Sequence, residues 1–271
     1  MAAGKSPVVC PDEAAALSPA PLFIDLRPAE VFAVSRILGA VHLDLWGISL
    51  IDTSDAPLRA FMWMIGHLFS QRGVTPERPV VVYESDSGMR AARAYWFLEY
   101  LGHPSAFILD GGVGAWTLSG RQLTTELVAP VASDWHGTAD DSKLATWRQV
   151  LERIGRPDMT IVDTRSAAEY FGEALRAKRG GAVPGATHLE WKRNLDETGR
   201  FKPAPELRAM YADAGVEPSN EIVTYCQGGY RAAHSYVALK LAGFTNVRNY
   251  TGSWKEWGDR EDLPIEHPRR S

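Results

Sequence analysis

Residues 221–244 read EIVTYCQGGYRAAHSYVALKLAGF, and three kinds of local order follow one another within them. Ile222, Val223, Thr224 and Tyr225 make a short β-branched and apolar run, Gly228 and Gly229 make a tight turn, and Ala233, Tyr236, Val237 and Leu241 recur at helical spacing. The stretch predicts strand, tight loop and helix, the building unit of an α/β fold. Cys226 is the first residue after the strand, where the loop amides and the positive end of the following helix converge. Such a setting stabilises a thiolate and any anion that approaches it. Paired glycines let a chain take positive φ or bring its amides close to a ligand, so a reactive cysteine is favoured here over a small buried apolar one.

The loop CQGGYRAAH, with LAGF and NVRNYTGSWKEW after it, resembles the active-site loop and C-terminal end of the rhodanese family of sulfurtransferases. The resemblance covers nearly the whole chain, and residues 226–231 match the family's six-residue loop. It implies that Cys226 takes a sulfane sulfur from a small anionic donor such as thiosulfate, holds it as a persulfide, and passes it to cyanide or a thiol. Two half-reactions sharing one covalent intermediate imply ping-pong kinetics. Gln227, Gly228, Gly229, Tyr230 and Arg231 then form the substrate-binding loop, whose backbone N–H groups hold the persulfide anion. The Cys226 pKa is expected to be depressed by these amides and the helix terminus, without a histidine partner. The sulfur must also be open to solvent, because a thiol sealed among packed side chains could not turn over.

A dianionic donor needs a cation. Arg231 is one candidate, with a structural ion pair to Asp163 or Glu169 as its alternative. Arg165 in the VDTR motif is a second, and Arg179 is a third, from a run with Arg176 and Lys178 that reads either as a basic rim or as a solvated charged stretch. His234 reads as a packing or surface histidine, and His188 fixes the start of a loop. Vertebrate-type thiosulfate enzymes resemble Cys-Arg-Lys-Gly-Val-Thr in this loop, whereas Gln227 and Gly228 supply no cation. Those enzymes also resemble one another in an arginine four residues after the Asp-x-Arg arginine, where Glu169 stands here. Mercaptopyruvate-type relatives resemble Cys-Gly-Ser/Thr-Gly-Val-Thr, whose hydroxyl is replaced by Gly228, and this favours thiosulfate. A 3-mercaptopyruvate sulfurtransferase and a sulfur-relay protein with a dedicated protein partner are the alternatives. A tyrosine-phosphatase-like loop has Cys-x5-Arg, one residue longer than the spacing of Cys226 and Arg231.

The chain repeats itself. Asp25 in FIDLR corresponds to Asp163 in IVDTR, His42 to His188, Arg90 to Arg231 and Trp116 to Trp257, at offsets of 138, 146, 141 and 141. A period near one domain length predicts two tandem rhodanese-like domains, each a mainly parallel sheet flanked by helices. Residues 1–125 are read as a non-catalytic domain, 126–142 as a linker and 143–271 as the catalytic domain. Aligned through Arg90, Ser85 falls opposite Cys226, so the first loop lacks a thiol, although a silent domain can still form one wall of a cleft. Trp116, Trp254 and Trp257 read as core or interdomain packing residues.

With 271 residues, 45% of them hydrophobic, the chain can bury a sizeable core, and its net charge of −4 offers no basic field for nucleic acid. No run approaches the roughly 18 apolar residues of a membrane span, and the N-terminus lacks a signal-peptide core. The expectation is a cytoplasmic monomer with its two cysteines, Cys10 and Cys226, as free thiols. No metal-ligand spacing or nucleotide fingerprint occurs, so no cofactor is expected.

Overall fold

The computed structural model describes residues 6–270. In the first half, β1 (Val8–Val9), α1 (Pro11–Ala16), β2 (Leu22–Asp25), α2 (Ala29–Val34), β3 (Val41–His42), α3 (Asp55–Ser70), β4 (Val80–Tyr83), α4 (Met89–Tyr100), β5 (Ala106–Leu109) and α5 (Gly112–Leu118) follow one another. The second half runs α6 (Trp147–Arg153), β6 (Met159–Asp163), α7 (Ala167–Tyr170), β7 (Thr187–His188), α8 (Ala204–Asp213), β8 (Glu221–Tyr225), α9 (Tyr230–Leu241), β9 (Val247–Asn249) and α10 (Ser253–Trp257). The sheets are ordered β1-β5-β4-β2-β3 and β7-β6-β8-β9, and every pairing between these strands is parallel. The expected α/β fold with two parallel sheets is what forms.

Continuous apolar strands explain the parallel arrangement. Val80, Val81, Val82 and Tyr83 are fully buried, as strands covered on both faces must be. The sheets are superposable in order: β3, β2, β4 and β5 correspond to β7, β6, β8 and β9. Where β1 pairs with β5, the second half has only an isolated parallel bridge between Leu144 and Asn249. The chain divides into two compact units. One comprises Met1–Ile48, Ala60–Asp140 and Leu195–Phe201; the other comprises Ser49–Arg59, Asp141–Asn194 and Lys202–Ser271. Trp116 joins the first core, while Trp254 and Trp257 lie in the second.

The same polar framework is built into each unit. Arg165 donates its backbone N–H and Nε to Asp163, and its Nη2 to Asp163 and to the Gly181 carbonyl; Arg27 does the same to Asp25 and the Ser35 carbonyl. His188 Nε2 lies 2.9 Å from the Arg165 carbonyl and His42 Nε2 lies 2.9 Å from that of Arg27. The hydroxyls of Tyr225 and Tyr83 accept from Val183 N–H and Ile37 N–H, and Tyr225 donates to Asp163. A buried carboxylate must be paired on every side, so this network fixes the C-terminal end of the central strand and whatever follows it. Tyr225→Phe leaves an Asp163 lone pair and the Val183 N–H without their partner. It should cost about 1–3 kcal/mol, read as a lower denaturant midpoint with an unchanged m-value; an unmoved midpoint would show that the network does not hold the strand end.

Candidate active site

β8 ends at Tyr225 and α9 begins at Tyr230, so residues 226–229 must turn the chain at the C-terminal edge of the sheet. Gly229 does this with φ at 85°, and a Cβ there would lie 2.8 Å from Thr251 Oγ1, so both torsion and space require glycine. The loop carbonyls are held by the start of α10: Trp254 N–H donates to the Cys226 carbonyl and Lys255 N–H to that of Gln227, each at 2.9 Å. Cys226 N–H donates to Ser253 Oγ at 3.1 Å, and that hydroxyl donates to the Tyr250 carbonyl at 2.7 Å. Ser253 has φ at 54°, a left-handed torsion uncommon for an L side chain and held here by the surrounding bonds.

With those carbonyls engaged, the amides of Gly228, Gly229 and Ala232 turn toward the Cys226 sulfur. Burial alone pushes the Cys226 thiol up, but the Arg231 charge and these three amides outweigh it and the thiol is lowered from its ordinary value. The amides are expected to lead; the guanidinium contributes more than any one of them. The expected opening to solvent is absent, since Cys226 is 1% exposed, so a donor reaches the sulfur only when the residues around it move aside. The physical reason is the same inward turn, which directs the sulfur to the amide ring.

Arg231 binds Glu169 bidentately, Nη1 to Oε2 at 2.6 Å and Nη2 to Oε1 at 2.9 Å. Of the two partners open to it, the structure selects Glu169. Burial would raise the Glu169 carboxyl, but Arg231 and Ser166 hold it down to about 2. Burial would likewise lower Arg231, yet Glu169 and the Cys226 sulfur leave it raised, so the guanidinium serves carboxylate and sulfur together. Gln227 Nε2 donates to the Arg176 carbonyl at 2.7 Å, while its Oε1 is buried without a partner. Tyr230 opens α9, half-buried. Of the predicted loop residues, Gly228, Gly229 and Arg231 act on the sulfur.

Arg165 and Arg179 do not join them as free cations. Arg165 is 1% exposed, with its donors on Asp163 and Gly181 and its guanidinium 4.4 Å from the Trp254 ring centroid. Arg179 donates to the carbonyls of Trp257, Gly258, Arg260 and Leu263, closing the C-terminal end of α10. Of the basic run, Arg176 stays exposed, its Nη1 3.8 Å from Glu169 Oε1. His234 is fully buried and edge-on to Trp191 at 4.9 Å, a packing residue. Cys10 is free and caps α1, accepting from Glu13 N–H. Ser253 is the residue that sequence reasoning missed, because a left-handed serine after a glycine leaves no periodic signal.

The first unit corrects the alignment of the silent loop. Tyr83 pairs with Asp25 as Tyr225 pairs with Asp163. Val113 N–H donates to the Glu84 carbonyl, and Gly114 N–H to that of Ser85, as Trp254 and Lys255 donate to Cys226 and Gln227. Glu84, rather than Ser85, therefore stands at the Cys226 position, and the first loop is one residue longer. Its Oε1 accepts from Arg90 N–H at 2.7 Å and Ala91 N–H at 2.9 Å, so a carboxylate fills the place the sulfur takes in the second unit. Burial, with Asp86 adding to it, outweighs these amides and raises Glu84 to about 7.

The rhodanese-like domain family matches residues 11–119 and again residues 146–260. The chain belongs to the rhodanese family, with two copies of its domain. Curated relatives include a protein named thiosulfate sulfurtransferase from Azotobacter vinelandii, 33% identical over 249 residues and 92% of each chain. Another of that name, from Pseudomonas aeruginosa, is 32% identical over 256 residues, again 92% of each. Among solved structures, YnjE superposes with a TM-score of 0.81 at 22% identity, covering 97% of this chain and 69% of that one. Wild-type EanB superposes at 0.80 and 20% identity, covering 92% of this chain but only 64% of its own. These structural likenesses speak for the fold.

Two variants separate the loops. Arg231→Gln removes the leading charge that favours the thiolate, so the pH midpoint of Cys226 alkylation should move up; an unmoved midpoint would show that the amides suffice alone. Glu84 has a folded pKa above its ordinary value, so its contribution to stability is whole at low pH and is lost as pH rises through about 7. Glu84→Gln keeps an acceptor for the two amides without the charge. It should raise Tm relative to the parent protein more at pH 8 than at pH 4, and an equal change at both would contradict the buried carboxylate.

Proposed function

We propose that this protein is a thiosulfate sulfurtransferase whose Cys226 carries sulfur as a persulfide between an anionic donor and a thiol or cyanide. The observation that carries this reading is the sulfur of Cys226 ringed by three amides and Arg231, a cradle suited to a sulfur anion before and after loading. Thiolate attack on the outer sulfur of thiosulfate forms one S–S bond as the donor's own S–S bond breaks and sulfite departs with the electron pair. Cyanide or a thiolate then takes the terminal sulfur, and the Cys226 thiolate returns. No proton is transferred in either step, which is why the guanidinium can serve in place of a histidine.

Charge supports a dianionic donor. Glu169 offsets Arg231, and Arg176 beside that pair leaves the group with a net positive charge. The names of the curated relatives favour thiosulfate as the donor. Arg231, the amides of Gly228, Gly229 and Ala232 and Arg176 take the donor-binding role; Arg165 and Arg179 hold the framework. The first unit serves as the non-catalytic domain, with the Glu84 carboxyl filling its loop. No described helix is long and apolar enough to cross a membrane.

Intact mass after incubation with thiosulfate, or with mercaptopyruvate in parallel, tests the assignment. A gain of one sulfur, about 32 Da, that is lost on adding cyanide or dithiothreitol is expected, and the donor that loads the protein is thereby identified. Cys226→Ser should neither load nor form thiocyanate from thiosulfate and cyanide. Thiocyanate formation by that variant at the parent rate would rule out Cys226 as the carrier.

A further inference from the structure

Gly228 has no left-handed torsion, so its backbone admits other residues, and what crowds a side chain there is Ser49. A Cβ there would lie 3.2 Å from Ser49 Oγ and 3.8 Å from Ser49 Cβ. Ser49 therefore borders the side-chain position that Gly228 leaves empty, next to an amide that faces the Cys226 sulfur. Ser49 is half-buried, and its hydroxyl has no hydrogen-bond partner among the described residues. An unpartnered donor in a partly dry setting is available to a ligand at no cost in broken protein bonds.

The segment carrying Ser49 is anchored in the second unit, although it comes from the first half of the chain. Leu50 is buried, and Thr53 gives its N–H to Glu256 Oε1 at 2.6 Å and its hydroxyl to Oε2 at 2.9 Å. The Thr53 hydroxyl in turn accepts from Trp147 N–H at 3.0 Å. Glu256 lies on α10, whose first amides hold the loop carbonyls. One short helix thus sets the place of both the sulfur and the Ser49 hydroxyl.

We propose that Ser49 is a donor-binding residue, whose hydroxyl donates to an oxygen of the departing group as the donor's S–S bond breaks. This rests on Cys226 as the persulfide carrier. The bond gains strength as negative charge passes to sulfite, so it favours the loading step and leaves discharge to the acceptor untouched.

The test compares the two half-reactions by rapid-quench intact mass, with thiosulfate for loading and cyanide for discharge. Ser49→Ala should load about 10- to 100-fold more slowly at limiting thiosulfate. Its preloaded form should discharge at the parent rate, with the pH midpoint of Cys226 alkylation unmoved. Ser49→Ala/Gly228→Ser, which moves the hydroxyl onto the loop, should restore loading. Equal loading by Ser49→Ala and the parent protein would overturn the role of Ser49 while leaving the persulfide standing. Slow loading matched by equally slow discharge and a shifted midpoint would overturn it too, as the mark of a merely structural residue. If the parent protein gains no sulfur from thiosulfate or mercaptopyruvate, the underlying reading of Cys226 fails instead.

Discussion

A peptide unit presents its N–H and its C=O on opposite sides, so a loop that turns its amides inward must lodge its carbonyls elsewhere. At residues 226–229 that requirement is met by the first turn of α10, whose free amides take the carbonyls of Cys226 and Gln227. The rest of the site depends on this exchange. Without it the amides of Gly228, Gly229 and Ala232 would not converge on the sulfur, and burial alone would push the thiol up rather than down. The strained Ser253 and the Arg179 that closes the same short helix both serve to hold it in place.

Arg231 completes the electrostatics because it is itself held. A guanidinium free to swing would lose side-chain entropy on meeting the sulfur; one fixed by two bonds to Glu169 meets it without that loss. The pairing also explains why Glu169, an acidic residue, is compatible with an anion site. Its charge is spent on Arg231.

The two units show one backbone solving two problems. The Asp-Arg-Tyr-His framework is reproduced bond for bond, and each loop collects amides at the start of its long helix. In the second unit they receive a sulfur, and in the first the carboxylate of Glu84. The shifts run in opposite directions for a physical reason. Arg231 lies against the sulfur, whereas Arg90 turns to Asp44 and the Trp46 ring and Asp86 adds like charge beside Glu84.

The strand–loop–helix order, the twofold repeat and the place of Cys226 at the head of the glycine loop were legible in the chain, because periodicity, glycine pairing and residue spacing are local properties that need no partner to be read. The roles of Arg165 and Arg179 were not, since a cation in a sequence does not reveal which carbonyls or carboxylates will surround it. Nor was Glu84, because a one-residue difference in loop length is invisible until strand register fixes which residues stand opposite. The amino-acid order by itself determined the parallel sheets and the position of the thiol at a strand end; tertiary structure alone decided which guanidinium faces the sulfur, how deeply the thiol lies and that Ser49 stands beside Gly228. Charges and hydrogen bonds act through space, and only packing brings residues so distant in the chain within their reach.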